Sequence, residues 1–156
     1  MEIRRVPVAA ALALMSILAC DDSPSGIPAE EERPGILEFY HDSPRIEVPA
    51  EVMARQEVQI SVQTYGGGCV RGGRTEVEFG DHKILVRPFD IHVNPGPNVF
   101  CTDILQFFDH SVTVEFDAIG PHTVEVMGLR IQAGPDQSRL ETPVGFQYTI
   151  TVLSEG

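Results

Sequence analysis

Glu57-Val58-Gln59-Ile60-Ser61-Val62-Gln63 decides how the chain folds, because apolar and polar residues alternate strictly along it. A period of two puts Val58, Ile60 and Val62 on one face of an extended strand and the polar residues on the other. The same alternation recurs downstream. Thr75, Val77 and Phe79 alternate with Glu76 and Glu78; Val112, Val114 and Phe116 alternate with Ser111, Thr113 and Glu115; Val124 and Val126 alternate with Thr123 and Glu125. Phe146, Tyr148, Ile150 and Val152 alternate with Gln147, Thr149 and Thr151 near the end of the chain. Arg45 to Val48 and Lys83 to Val93 bring the set to about seven strands, the latter expected to break at Pro88, which has no N–H for a ladder. No stretch sustains a helical period, although Asp103 to Phe108 suits either one helical turn behind a Thr102 or Asp103 cap or a bulged strand. The expected fold is all-β, with two antiparallel sheets packed face to face as a β-sandwich.

Composition narrows the function classes. Of 156 residues, 42% are apolar, enough for one packed domain. Eleven basic residues stand against 23 acidic ones for a net charge of −12, and Lys83 is the lone lysine. Without a cationic footprint there is no support for nucleic-acid partners or for binding to anionic headgroups.

Arg4 and Arg5 precede an apolar run from Val6 to Ala19 that is too short to span a bilayer, which is the pattern of an export signal. Its end, Ile17-Leu18-Ala19-Cys20, resembles the bacterial lipobox. That resemblance implies cleavage before Cys20, a mature chain of 156 − 19 = 137 residues, and a diacylated Cys20 as membrane anchor. Two acyl chains hold stably where one is marginal. The implied location is the bacterial cell envelope, lipid-anchored and periplasm-facing. Asp21 is similar to the inner-membrane retention signal of enteric bacteria, a rule that does not transfer to every lineage, so inner and outer membrane both stay open. Asp21 to Gly35, with three prolines and the run Glu30-Glu31-Glu32, has too little apolar content to order itself and is expected to be a solvated tether. The domains expected are thus a signal over 1–19, an acidic Pro-rich tether over 20–35 and a β-sandwich over 36–156.

Phe116-Asp117-Ala118-Ile119-Gly120-Pro121-His122-Thr123-Val124-Glu125-Val126 resembles the strand, glycine corner and strand of bacterial immunoglobulin-like domains, with His122 where that family usually has tyrosine. The resemblance implies an immunoglobulin-like sandwich of about seven strands.

With Cys20 assigned to lipid, Cys69 and Cys101 remain, and an exported compartment preserves such a pair as a disulfide. The enclosed loop of 101 − 69 = 32 residues would stabilise the fold by roughly 3–4 kcal/mol through unfolded-state entropy. A metal or redox pair is the alternative, but the C-x-x-C spacing is lacking.

Gly68 to Thr75 matches a phosphate-binding loop with Arg74 in place of the lysine, yet the following residues alternate as a strand where that loop requires a helix. No nucleotide is expected. The five glycines between Tyr65 and Arg74 form either a plain hairpin loop or a recognition loop presenting Tyr65, Arg71 and Arg74. Histidines 41, 82, 92, 110 and 122 invite a metal hypothesis. A type 1 copper pattern fails because Cys101 is followed by histidine only at His110, so a cluster such as His82 with His110 would have to be assembled by folding. No G-x-S-x-G elbow is present, and Glu76, Glu78, Glu115 and Glu125 fall on wet strand faces. The reading is a non-catalytic domain without metal or cofactor, binding or scaffolding an envelope protein or glycan through end loops around 64–74 and 94–103. The alternatives are a periplasmic metal-binding or metal-delivery protein using histidines, and a small enzyme with its site on a sheet face.

Overall fold

The computed structural model describes residues 29–154 apart from 97, 99 and 137, so the signal segment, Cys20 and the start of the tether lie outside the described residues. Among the described residues eleven strands follow one another: β1 (Ala29–Pro34), β2 (Phe39–Tyr40), β3 (Ser43–Pro44), β4 (Ile46–Glu47), β5 (Glu51–Met53), β6 (Glu57–Gly66), β7 (Val70–Gly80), β8 (Lys83–Asn94), β9 (Gln106–Glu115), β10 (Gly120–Ala133) and β11 (Arg139–Leu153). The alternating stretch that begins at Glu57 is β6, and it pairs antiparallel with β9 along its whole length and with β4 on its other side. The larger sheet runs β1-β8-β10-β11-β5, with β7 on the remaining flank of β8. Val58, Ile60, Val62 and Val114 of the small sheet meet Ile84, Val86, Val124, Val126, Ile150 and Val152 of the large one in a single core. The result is an all-β, sandwich-like fold held by side chains that each contribute about 1.5–3 kcal/mol when fully buried.

Three details differ from the sequence expectation, and a fourth decides between the two readings of Asp103 to Phe108. Two pairings, β8 with β10 and β5 with β11, are parallel, so the larger sheet is mixed. Pro88 does not break its strand. The flank of β8 passes from β10, paired at 83–86, to β1, paired at 89–94, and Pro88 stands at that changeover, where its carbonyl accepts the Gly35 N–H at 2.9 Å. Ordered pairing also begins inside the stretch read as tether, with Ala29–Pro34 forming β1. All six of its residues are exposed, so β1 is held by backbone pairing and ion pairs that composition does not register. Finally, the segment before β9 is irregular up to Leu105 and then extended, without a helical turn.

The two sheets are tied at one corner. Leu37 donates to the Leu129 carbonyl of β10, Glu38 donates to the Gln63 carbonyl of β6, and Tyr65 of β6 donates to the Ile36 carbonyl, so residues 35–38 hydrogen-bond to both layers. Opposite that, β7 carries a bulge where Gly72 faces Asp90 and Thr75 faces Pro88. The one extra residue, with Gly73 and Arg74 standing opposite Phe89, swings Thr75 toward the interior. Gly73 is required there, since a Cβ on it would stand 2.6 Å from the Phe89 carbonyl oxygen. Gly73→Ala is expected to cost about 1–3 kcal/mol through this overpacking, read as a lower urea midpoint at unchanged m-value.

Candidate functional site

Strand ends and loops converge at one end of the sandwich. Tyr65 and the Gly66–Gly68 backbone leave β6, Val70 opens β7, His92 and Val93 close β8, Ile131 closes β10, and Arg139 and Glu141 open β11. Together with Cys101 to Asp103 and Leu105 they line a cleft of about 730 Å³, a size suited to a small ligand or an inserted side chain. The Cys69–Cys101 disulfide, with Cα atoms 5.1 Å apart, forms part of the wall and joins the two loops singled out from sequence. A second tie runs from the Gly68 N–H to the Thr102 carbonyl at 3.0 Å. Burial pushes the Tyr65 phenol above its usual range; the Arg139 charge pulls it back and Glu38 adds to the rise.

The three residues of the proposed recognition loop separate. Tyr65 faces the cleft, whereas Arg71 and Arg74 do not line it. Arg71 donates to Glu30 at 2.8 Å and Arg74 to Glu32 at 3.0 Å, so the acidic run and these arginines form a ladder across β8. Arg74 also lies over the Phe89 ring at 4.5 Å. Arg139 and Glu141 take their place in the cleft, and no periodicity or motif marks them in the sequence.

Glu76, Glu78 and Glu125, three of the four strand-face carboxylates, are engaged in pairs as well. Glu76 and Glu78 meet Arg87, and Glu125 meets Lys83 at 2.5 Å. The Lys83 hydrogen bond is the main cause holding the Glu125 carboxyl below its usual range. The histidines disperse: His41 lies against Tyr40, His92 against the cleft, and His82 stacks on His122 at 4.6 Å rather than meeting His110. Among the described residues no group of three or more His, Cys, Asp or Glu is arranged to hold a metal ion.

His110 enters a buried polar network instead. Its Nε2 is 3.0 Å from both Asp90 Oδ1 and Thr64 Oγ1, Thr64 donates to Asp90 at 3.1 Å, and Thr75 Oγ1 is 3.2 Å from Nδ1. The four residues come from β8, β9, β6 and β7 and so pin the two sheets together through the core. An aspartate, a histidine and hydroxyls are the residue types of a nucleophile relay. Here, however, the hydroxyl and the carboxylate meet the same ring nitrogen, and Thr64 is 0% exposed. Asp90 and His110 are in phase with the inward residues Ile84 and Val86 and with Val112 and Val114, and that parity is the signal that would have found them. Compared with known protein families, curated proteins and solved structures, the chain matches none.

Proposed function

We propose that the protein is a lipid-anchored cell-envelope protein, held through Cys20, whose β domain binds an envelope partner non-catalytically through the cleft at the end of the sandwich. The observation that carries this reading is the cleft itself: a concave site between two loops held together by a disulfide. Binding sites on rigid scaffolds are built this way, from loops whose geometry the strands and cross-links set in advance. Tyr65 and Arg139 would orient a polar group, while Ile36 and Ile131 supply apolar contact.

An immunoglobulin-like arrangement of the strands is part of the proposal. The β10–β11 hairpin, the corner at Gly120 with φ of 115°, and β5 running parallel beside β11 support it. The parallel β8–β10 pairing is a departure from two purely antiparallel sheets.

A photo-crosslinking side chain in place of Tyr65, compared in intact cells with the same probe in place of Glu57 at the opposite end of β6, tests the site. A defined adduct is expected from position 65 and none from position 57. No adduct at either position, or equal adducts at both, overturns the cleft as the binding site.

A further inference from the structure

Four large apolar side chains stand exposed in one short run before and into β9: Phe100 at 90%, Ile104 at 62%, Leu105 at 56% and Phe107 at 51%. Exposed apolar surface concentrated in one loop marks a contact surface, because leaving it in water forfeits the free energy of covering it. The course of the chain says what covers it. Ala29, the first residue of β1, pairs with Asn94, the last residue of β8, from which the backbone continues into this loop. Cys20 lies 29 − 20 = 9 residues upstream of Ala29, at most roughly 30 Å of fully extended chain. The anchor therefore enters the domain at the end that carries the apolar loop. At the opposite end the exposed Phe79 and Ile119 sit on separate turns, one beside the β7–β8 hairpin and one before β10.

Charge selects the kind of lipid. From Phe100 to Phe107 the sequence holds Asp103 and no basic residue, and the chain as a whole carries −12. Such a surface suits zwitterionic headgroups and is repelled by anionic ones. The loop is also held in advance, through Cys101 to Cys69 and through the Thr102 carbonyl to Gly68, so seating it loses little conformational freedom.

We propose that Phe100, Ile104, Leu105 and Phe107 insert into the zwitterionic lipid surface beside the anchor, turning the cleft toward the membrane. This rests on the lipid-anchor reading of Cys20. The insertion depth is that of an interfacial segment, at the boundary of headgroups and acyl chains.

The sequence contains no tryptophan, so a single introduced indole reports its own surroundings. Phe100→Trp and Phe79→Trp replace exposed rings at opposite ends and leave the core untouched. Each full-length protein, purified from the membrane fraction, is reconstituted into phosphatidylcholine vesicles with or without lipids brominated near the headgroup end of the acyl chain. Flotation of the vesicles reads the anchor, with the Cys20→Ser chain as its control; indole emission reads the loop. The expected result is flotation that depends on Cys20, a blue-shifted Phe100→Trp emission quenched by the brominated lipid at interfacial depth, and an unquenched Phe79→Trp emission. If the protein floats but Phe100→Trp emits as in water, or both reporters are quenched equally, the insertion is overturned and the anchor stands. If the wild-type protein does not float, both are overturned.

Discussion

Asp90→Ala is expected to lower the unfolding free energy by about 3–5 kcal/mol, because two buried groups, the His110 ring and the Thr64 hydroxyl, lose their acceptor at about 1–3 kcal/mol each. For a domain of this size that is a fall in Tm of roughly 10–20 °C. The carboxylate is 1% exposed and carries two interactions, the His110 ring and the Thr64 hydroxyl. Removing it strands both partners in the core without water to replace the lost acceptor. Among the described residues Asp90 Oδ2 has no hydrogen-bond partner, and it faces Gly35, on which a Cβ would come within 3.0 Å of that oxygen and 2.6 Å of Thr64 Cγ2. The close approach of the 35–38 tie to the network explains why that crossing needs glycine. His110→Ala should cost a similar amount, and the double variant Asp90→Ala/His110→Ala clearly less than the sum of the two, because the second change removes a group already left unpaired. Urea denaturation of the four proteins checks this. Strictly additive losses, or a Tm for Asp90→Ala within a degree or two of wild type, would show that the network does not hold the sheets together.

Reduction of the Cys69–Cys101 disulfide is expected to cost roughly 3–4 kcal/mol, with a fall in Tm of similar size to that predicted for the network variants. The bridge closes 32 residues of sequence that include β7, β8 and the turn between them, so the unfolded chain regains considerable freedom when it opens. Its second effect is local. Cys101 leads into the exposed apolar run, and Cys69 leads into β7. Cys69→Ser/Cys101→Ser is therefore expected to raise hydrogen exchange in both loops around the cleft while the β6–β9 and β10–β11 ladders stay protected below the melting range. Melting curves with and without reductant, with exchange measured by mass spectrometry, distinguish the two effects. An unchanged Tm under reductant, with labelling proving both thiols free, would mean that native-state strain cancels the entropic gain.

Period-two alternation identified the core strands because in a half-buried sheet the pleat itself sorts side chains by polarity. Val58, Ile60, Val62, Val124, Val126, Ile150 and Val152 are buried as that pattern requires. The pattern says nothing of a strand buried on neither face, and β1 was missed for that reason: Glu30 and Glu32 look solvated until Arg71 and Arg74 are brought beside them from residues more than 40 positions away. Phe79 alternates correctly yet is 69% exposed, because it sits next to the hairpin turn where the opposing sheet no longer covers it.

Local composition and spacing, which depend only on neighbouring residues, determined that this chain is all-β, where most of its strands run and which of their apolar residues face the core; the Cys69–Cys101 bridge was an expectation conditional on giving Cys20 to lipid, and the fold brings the two together. Tertiary structure alone decided the strand order with its two parallel pairings, the dispersal of the histidines, the diversion of Arg71 and Arg74 into ion pairs, and the meeting of Asp90, His110, Thr64 and Thr75. Each of these joins strands distant in sequence. Nothing in a linear pattern encodes a distance between such residues until packing of the shared core sets one.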